Sequence, residues 1–117
     1  MKILIADDSV IVRNQIMNHL QGIGHDTIEV ENGKQACEAV EKETFDLIIM
    51  DINMPIMSGL EAIKKILPEH EIPIVVISAL SEDSSELVDA ILAGASNYLH
   101  KPYSLEELVD IVNFFQR

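Results

Sequence analysis

One cysteine, Cys37, leaves no partner for an internal disulfide. Basic residues are scarce: 8 Lys and Arg stand against 20 Asp and Glu, a net charge of -12. That balance repels phosphate backbones and anionic bilayers at long range and argues against direct nucleic-acid or membrane binding. Apolar runs such as Ile74 to Ile77 and Leu47 to Met50 fall far short of the roughly 20 residues of a membrane-spanning helix. No signal-like stretch precedes the strand-like Ile3-Leu4-Ile5, so the expected home is the cytoplasm. Internal repeats, low-complexity tracts and Pro/Gly/Ser linkers are also missing, and 117 residues are sized for one domain over 1–117. What is present is 48% apolar and 24% charged residues spread along the whole chain, the composition of a sequence that folds alone.

Short β-branched runs alternate with longer stretches whose apolar residues recur at three and four. The runs predict strands at Lys2 to Ala6, Thr27 to Val30, Leu47 to Met50, Ile74 to Ser78 and Asn97 to Leu99. Five helices are predicted between and after them. The first, Val10 to Gln21, carries Val12, Ile16, Leu20 and Ile23 as a stripe and is stopped by Gly22 and Gly24. Ala36, Cys37 and Val40 share a face of the second; Leu60, Ile63 and Leu67 mark the third, over Gly59 to Leu67 before Pro68. Leu87, Val88, Ile91, Leu92 and Ala95 define the fourth, ending near Gly94. Ser104 caps the fifth with Glu107 as its capping-box partner, and Leu105, Leu108, Val109, Val112 and Phe115 are its expected core.

Nearly all-apolar strands alternating with helices call for a doubly wound five-stranded parallel sheet, α/β in class, with helices on both faces. On that frame Asp7 and Asp8 follow the first strand, Asp51 the third, Ser78 closes the fourth and Lys101 follows the fifth. All five residues then lie at the carboxyl edge, where open parallel sheets bind ligands. If the strand order is 2-1-3-4-5, three carboxylates would crowd one crevice, where two charges about 4 Å apart repel by about 4 kcal/mol at an effective dielectric near 20. A cation is required, and oxygen-only ligands suit Mg2+. An Asp-Asp pair alone is an ordinary strand end; its convergence with Asp51, Ser78 and Lys101 is what carries weight. The four histidines show no metal-ligand spacing and are assigned no chemistry. Cys37 is read as helix packing, Met54 and Met57 as loop packing around Pro55, and Gly59 as backbone freedom before the third helix.

Leu4-Ile5-Ala6-Asp7-Asp8-Ser9, Asp46 through Asp51 to Pro55 with Met57-Ser58-Gly59, Pro73 through Ser78-Ala79, and Gly94-Ala95 through Tyr98-Leu99-His100-Lys101-Pro102 resemble the receiver domains of bacterial two-component response regulators. The resemblance spans nearly the whole chain and implies the flavodoxin-like order 2-1-3-4-5, an order that a member of this family exemplifies. It further implies that Asp51 is the phosphoryl acceptor, served by a histidine kinase or histidine phosphotransfer protein. Asp8, Asp51 and the Asn53 backbone carbonyl would bind Mg2+, with Asp7 acting through a water. Lys101 would contact the phosphoryl group, Ser78 would hydrogen-bond it, and Tyr98 would be the switch aromatic. Pro102 would follow a cis peptide bond with Lys101. Asn53 and Leu80 would flank the path of the hydrolytic water, and Leu80, lacking a polar group, would slow dephosphorylation.

Catalysis, on this reading, is limited to the domain's own phosphorylation and dephosphorylation, and the output surface is the fourth helix, fifth strand and fifth helix with an unidentified partner. Receivers fused to winged-helix DNA-binding domains often have paired Asp before the switch aromatic and several arginines in the fifth helix. Here Ser96-Asn97 and a lone Arg117 stand instead. Ile111 and Phe114 fall outside the fifth helix's stripe and are partner-surface candidates. Asp51-Ile52-Asn53 also looks loosely like the nucleophile motif of haloacid dehalogenase phosphatases, although that motif has a second Asp at the Asn53 position and follows the first strand.

Overall fold

The computed structural model describes residues 1–116. Ten elements alternate strictly: β1 Lys2–Ala6, α1 Val10–Gly22, β2 Asp26–Val30, α2 Gly33–Lys42, β3 Leu47–Asp51, α3 Gly59–Ile66, β4 Ile74–Ser78, α4 Ser85–Leu92, β5 Asn97–His100 and α5 Leu105–Gln116. The strands form one parallel sheet in the order β2-β1-β3-β4-β5. Arg117, the only arginine expected near the last helix, lies outside the described residues. No helix among the described residues is long and apolar enough to cross a membrane.

Period-two alternation along the strands divides the core into two. Leu4, Ala6, Ile48, Met50 and Val76 face α2, α3 and α4. Ile3, Ile5, Leu47, Ile49, Val75 and Ile77 face α1 and α5. Both faces of the central strands are covered, which is why those strands read as unbroken apolar runs. The helix starts are chemically specified. Ser9 accepts from Val12 N–H at 3.3 Å, Asn32 accepts from Gln35 N–H at 2.9 Å, and Ser58 and Glu61 form a reciprocal capping box. Ser104 and Glu107 do the same for α5, each bond 3.1 Å.

Several expected core positions lie outside the core. Ile23 is exposed past the end of α1, and the buried stripe of that helix is Arg13, Ile16 and Leu20, with Val12 half-buried. In α4 only Leu87 and Ala90 are buried, while Val88, Ile91 and Leu92 are exposed. A two-turn helix lying on a sheet can bury only a narrow face, so an apolar arc this wide leaves its flanks in water. Leu105 is exposed as well, whereas Ile111 is half-buried, packing against the α1/α5 core while lining a surface groove with Tyr98 and His100. Phe114 is exposed and meets Phe115 edge to face with ring centroids 5.0 Å apart.

Candidate functional site

The register sets Ala6 beside Met50, Asp51 beside Ile77 and Ser78 beside His100. The residues that follow β1, β3 and β5 therefore emerge along one edge of the sheet. There the carboxylates of Asp7, Asp8 and Asp51 each offer an oxygen within 4.8 Å of the others. Asp7 and Asp51 are buried and Asp8 is exposed. Lys101 crosses from the far side of the crevice, with Nζ 3.2 Å from Asp51 Oδ2 and 3.4 Å from Asp7 Oδ2. The Lys101–Pro102 peptide is cis.

Backbone donors fix the two buried carboxylates. Asp7 Oδ1 accepts from Ser9 N–H at 2.9 Å, and Asp51 Oδ1 accepts from Asn53 N–H at 3.3 Å. The loop after β3 is drawn under the site by Gly59 N–H donating to Ile52 O at 2.8 Å. A Cβ at Gly59 would run into the Asp51 carbonyl, so this glycine supplies room and not the backbone freedom expected of it. Ile56 in the same loop has φ of 69°, a left-handed conformation that a β-branched side chain rarely adopts.

Burial pushes the Asp51 carboxyl above its ordinary range; Lys101 pulls it back down, and the Asp7 charge adds to the rise. Burial alone would lower the Lys101 ammonium, but the charges of Asp51 and Asp7 outweigh it and the net direction is up. Three carboxylates and one ammonium sum to two negative charges, and every donor in the cluster is an oxygen. The donor set fits a hard divalent cation such as Mg2+. It offers neither sulfur nor imidazole to a softer metal.

Ser78 is buried, and its Oγ accepts from Leu80 N–H at 2.9 Å while its carbonyl accepts from Lys101 N–H at 2.8 Å. Leu80 is half-buried against the α2–α4 side of the core. Tyr98, half-buried on β5, donates its hydroxyl to Glu82 in the connection between β4 and α4. A groove of about 310 Å³ lined by Glu82, Val88, Ile91 and Tyr98 runs beside them.

Two neighbours of the site were not singled out from sequence. Tyr103 packs on the α1/α5 core, and Arg13 lies buried under the turn after β1. Arg13 had a sequence signal, since it is spaced three and seven before Ile16 and Leu20 on the buried stripe. His70 Nε2 is 3.1 Å from Glu41 Oε1, and with Glu69 the ligand atoms lie within 4.8 Å. That grouping is on the amino side of the sheet, away from Asp51, and Glu41 and Glu69 are exposed.

The profile described as the response regulator receiver domain matches residues 3–113. The chain is similar to the chemotaxis protein CheY of Bacillus subtilis, 36% identical over 114 residues that span 96% of this chain and 94% of that one. It is also similar to the protein-glutamate methylesterase/protein-glutamine glutaminase of Methanococcoides burtonii, 40% identical over 96% of this chain but 33% of that protein. The chain thus spans about a third to a half of the length of several curated relatives that it matches. Among solved structures, a sensor histidine kinase receiver domain from Pseudomonas aeruginosa PAO1 superposes with a TM-score of 0.89 at 26% identity, covering 97% of this chain and 95% of that one. That structure is described with a magnesium ion coordinated in the active-site cleft.

Proposed function

Because the chain belongs to the response regulator receiver domain family of two-component signalling, we propose that residues 1–117 act as one phosphorylation-dependent switch in the cytoplasm, taking a phosphoryl group on Asp51 from a histidine kinase or histidine phosphotransfer protein. The observation that carries this reading is the meeting of Asp7, Asp8 and Asp51 within 4.8 Å with the Lys101 ammonium against two of them. Asp51 is the nucleophile: one carboxylate oxygen forms a bond to phosphorus, and the donor's P–N bond breaks with its electron pair returning to the imidazole nitrogen. Water later cleaves the aspartyl phosphate, restoring the carboxylate. The chemistry is therefore confined to the domain's own phosphorylation and dephosphorylation.

Asp8, Asp51 and the Asn53 backbone carbonyl would hold Mg2+, with Asp7 acting through a water. The ion supplies neutralisation of the phosphoryl oxygens. Lys101, already paired with Asp51, follows the new charge onto the phosphoryl group. Ser78 Oγ uses an acceptor site on Leu80 N–H, so its hydroxyl proton is left to donate to a phosphoryl oxygen. Any inward movement of Ser78 carries Leu80 with it. The same connection holds Glu82, and Glu82 holds the Tyr98 hydroxyl. That linkage supports Tyr98 as the switch residue and the α4, β5 and α5 surface as the output face toward an unidentified partner.

Acetyl phosphate with Mg2+ should produce one base-labile acyl phosphate, mapped by mass spectrometry to Asp51. Asp51→Asn should abolish it. Normal modification of that variant, or modification found at Ser78, overturns the assignment.

A further inference from the structure

Arg13 is placed against its own electrostatics. It sits in the amino-terminal part of α1, the end of a helix where a cation is disfavoured, and it is 4% exposed. Its ion pairs do not account for that burial. Nε lies 3.9 Å from Glu29 Oε1 and Nη2 lies 3.8 Å from Glu31 Oε1, both carboxylates on the β2 side being substantially exposed. At such lengths neither is a hydrogen bond, and Nε is left without a hydrogen-bond partner among the described residues. Among the described residues the one short contact is elsewhere: Nη1 donates to the backbone carbonyl of Asp7 at 2.5 Å.

That carbonyl belongs to the turn that presents both Asp7 and Asp8. The turn is held from two other directions, by Asp7 N–H donating to Val30 O at 3.2 Å and by Ser9 N–H donating to Asp7 Oδ1 at 2.9 Å. The Arg13 bond is the side-chain tie on the peptide between the two aspartates. A helical side chain leans toward its own amino terminus, which brings a long residue at this position back under the turn.

We propose that Arg13 is a positioning residue for the divalent cation: by gripping the Asp7 carbonyl it sets the angle at which Asp7 and Asp8 present their carboxylates to the ion, without touching the ion itself. The inference rests on the metal reading above. Outer residues that orient metal ligands typically govern about 10- to 100-fold in metal affinity, and a guanidinium gripping a carbonyl is not replaced by a point charge.

The test is Mg2+ titration of the full chain by calorimetry, with backbone amide NMR as a second readout that does not depend on phosphorylation. Arg13→Gln should weaken Mg2+ binding about tenfold or more and shift the Asp8 and Ser9 amides before any metal is added. Arg13→Lys, which keeps the charge and should fold even if the glutamine variant does not, should recover only part of the affinity. A double Glu29→Gln, Glu31→Gln protein should bind Mg2+ within about twofold of wild type, because the Asp7 contact is intact. Arg13→Lys matching wild type in both affinity and amide shifts overturns the proposal, as does a glutamate double variant as impaired as Arg13→Gln. Wild-type protein that fails to bind Mg2+, or binding that survives Asp8→Ala unchanged, overturns the metal reading instead and takes this inference with it.

Discussion

Tyr103 stands two positions past Lys101, and its phenol is pushed up to about 12, first by burial and then by the charges of Asp7 and Asp51. A phenol held protonated by the fold contributes stability that is complete below its unfolded value near 10 and is lost as pH rises from there toward 12. Tyr103→Phe removes that dependence. Urea unfolding at pH 9, 10 and 11 should show wild type losing up to about 1 kcal/mol more than the variant across this window, after allowance for solvent screening. Equal losses would mean that neither burial nor the Asp7 and Asp51 charges raise the phenol. Asp51 is also shifted up, with the same sign in a lower window: stability is complete below the unfolded carboxylate range and is lost as pH rises, so its ionised form works against the fold at neutral pH. Asp51, Lys101 and Ser78 were legible from the sequence because each closes or follows a strand. The burial of Arg13 was legible in its spacing to Ile16 and Leu20, but its contact with the Asp7 carbonyl and the placing of Tyr103 beside the carboxylates were not, because both depend on what lies across the fold.

Among the elements, the connection from β4 to α4 holds the most consequence in the fewest residues. Leu80 gives its N–H to Ser78 and its side chain to the core, so it brings no polar group to a water approaching Asp51. Leu80→Gln should therefore speed decay of the aspartyl phosphate, by up to about tenfold if one hydrogen bond orients the water. Timed loss of phosphate from purified phosphoprotein at fixed Mg2+ checks this, and unchanged or slower decay in a folded variant removes Leu80 from the mechanism. Every predicted strand lies within a residue of the observed one at each end, and the buried apolar runs of β1, β3 and β4 leave the least ambiguity. Helix faces were harder. α4 shows why: Val88, Ile91 and Leu92 satisfy a helical repeat yet lie beyond the arc the sheet can cover, and Ser84 makes no side-chain capping bond to hold the helix start.

For the molecule as a whole, the net charge of -12 and the clustered carboxylates make the metal-free form a self-repelling object. Ligand that binds only the folded state adds RT ln(1 + [L]/Kd), about 2.7 kcal/mol at a hundred times Kd. Mg2+ should thus raise the thermal midpoint in proportion to the logarithm of its concentration. Asp8→Ala should abolish that gain while making the metal-free protein more stable than wild type, because one of three mutually repelling charges is gone. Scanning calorimetry of both proteins with and without Mg2+ decides it. A variant that gains as much from Mg2+ as wild type does removes Asp8 from the ligand set.

The continuous sheet separates two cores that share a backbone and almost no side-chain contacts: Val75 and Val76 are neighbours in the chain and serve opposite compartments. A lineage can therefore rewrite one compartment while the other stands still, since substitutions without shared partners combine nearly independently. The exception is the rim where Asp51, Ser78 and Lys101 meet, because there the partition ends. Heritable change should be freest in the helices and most tightly bound together along that rim.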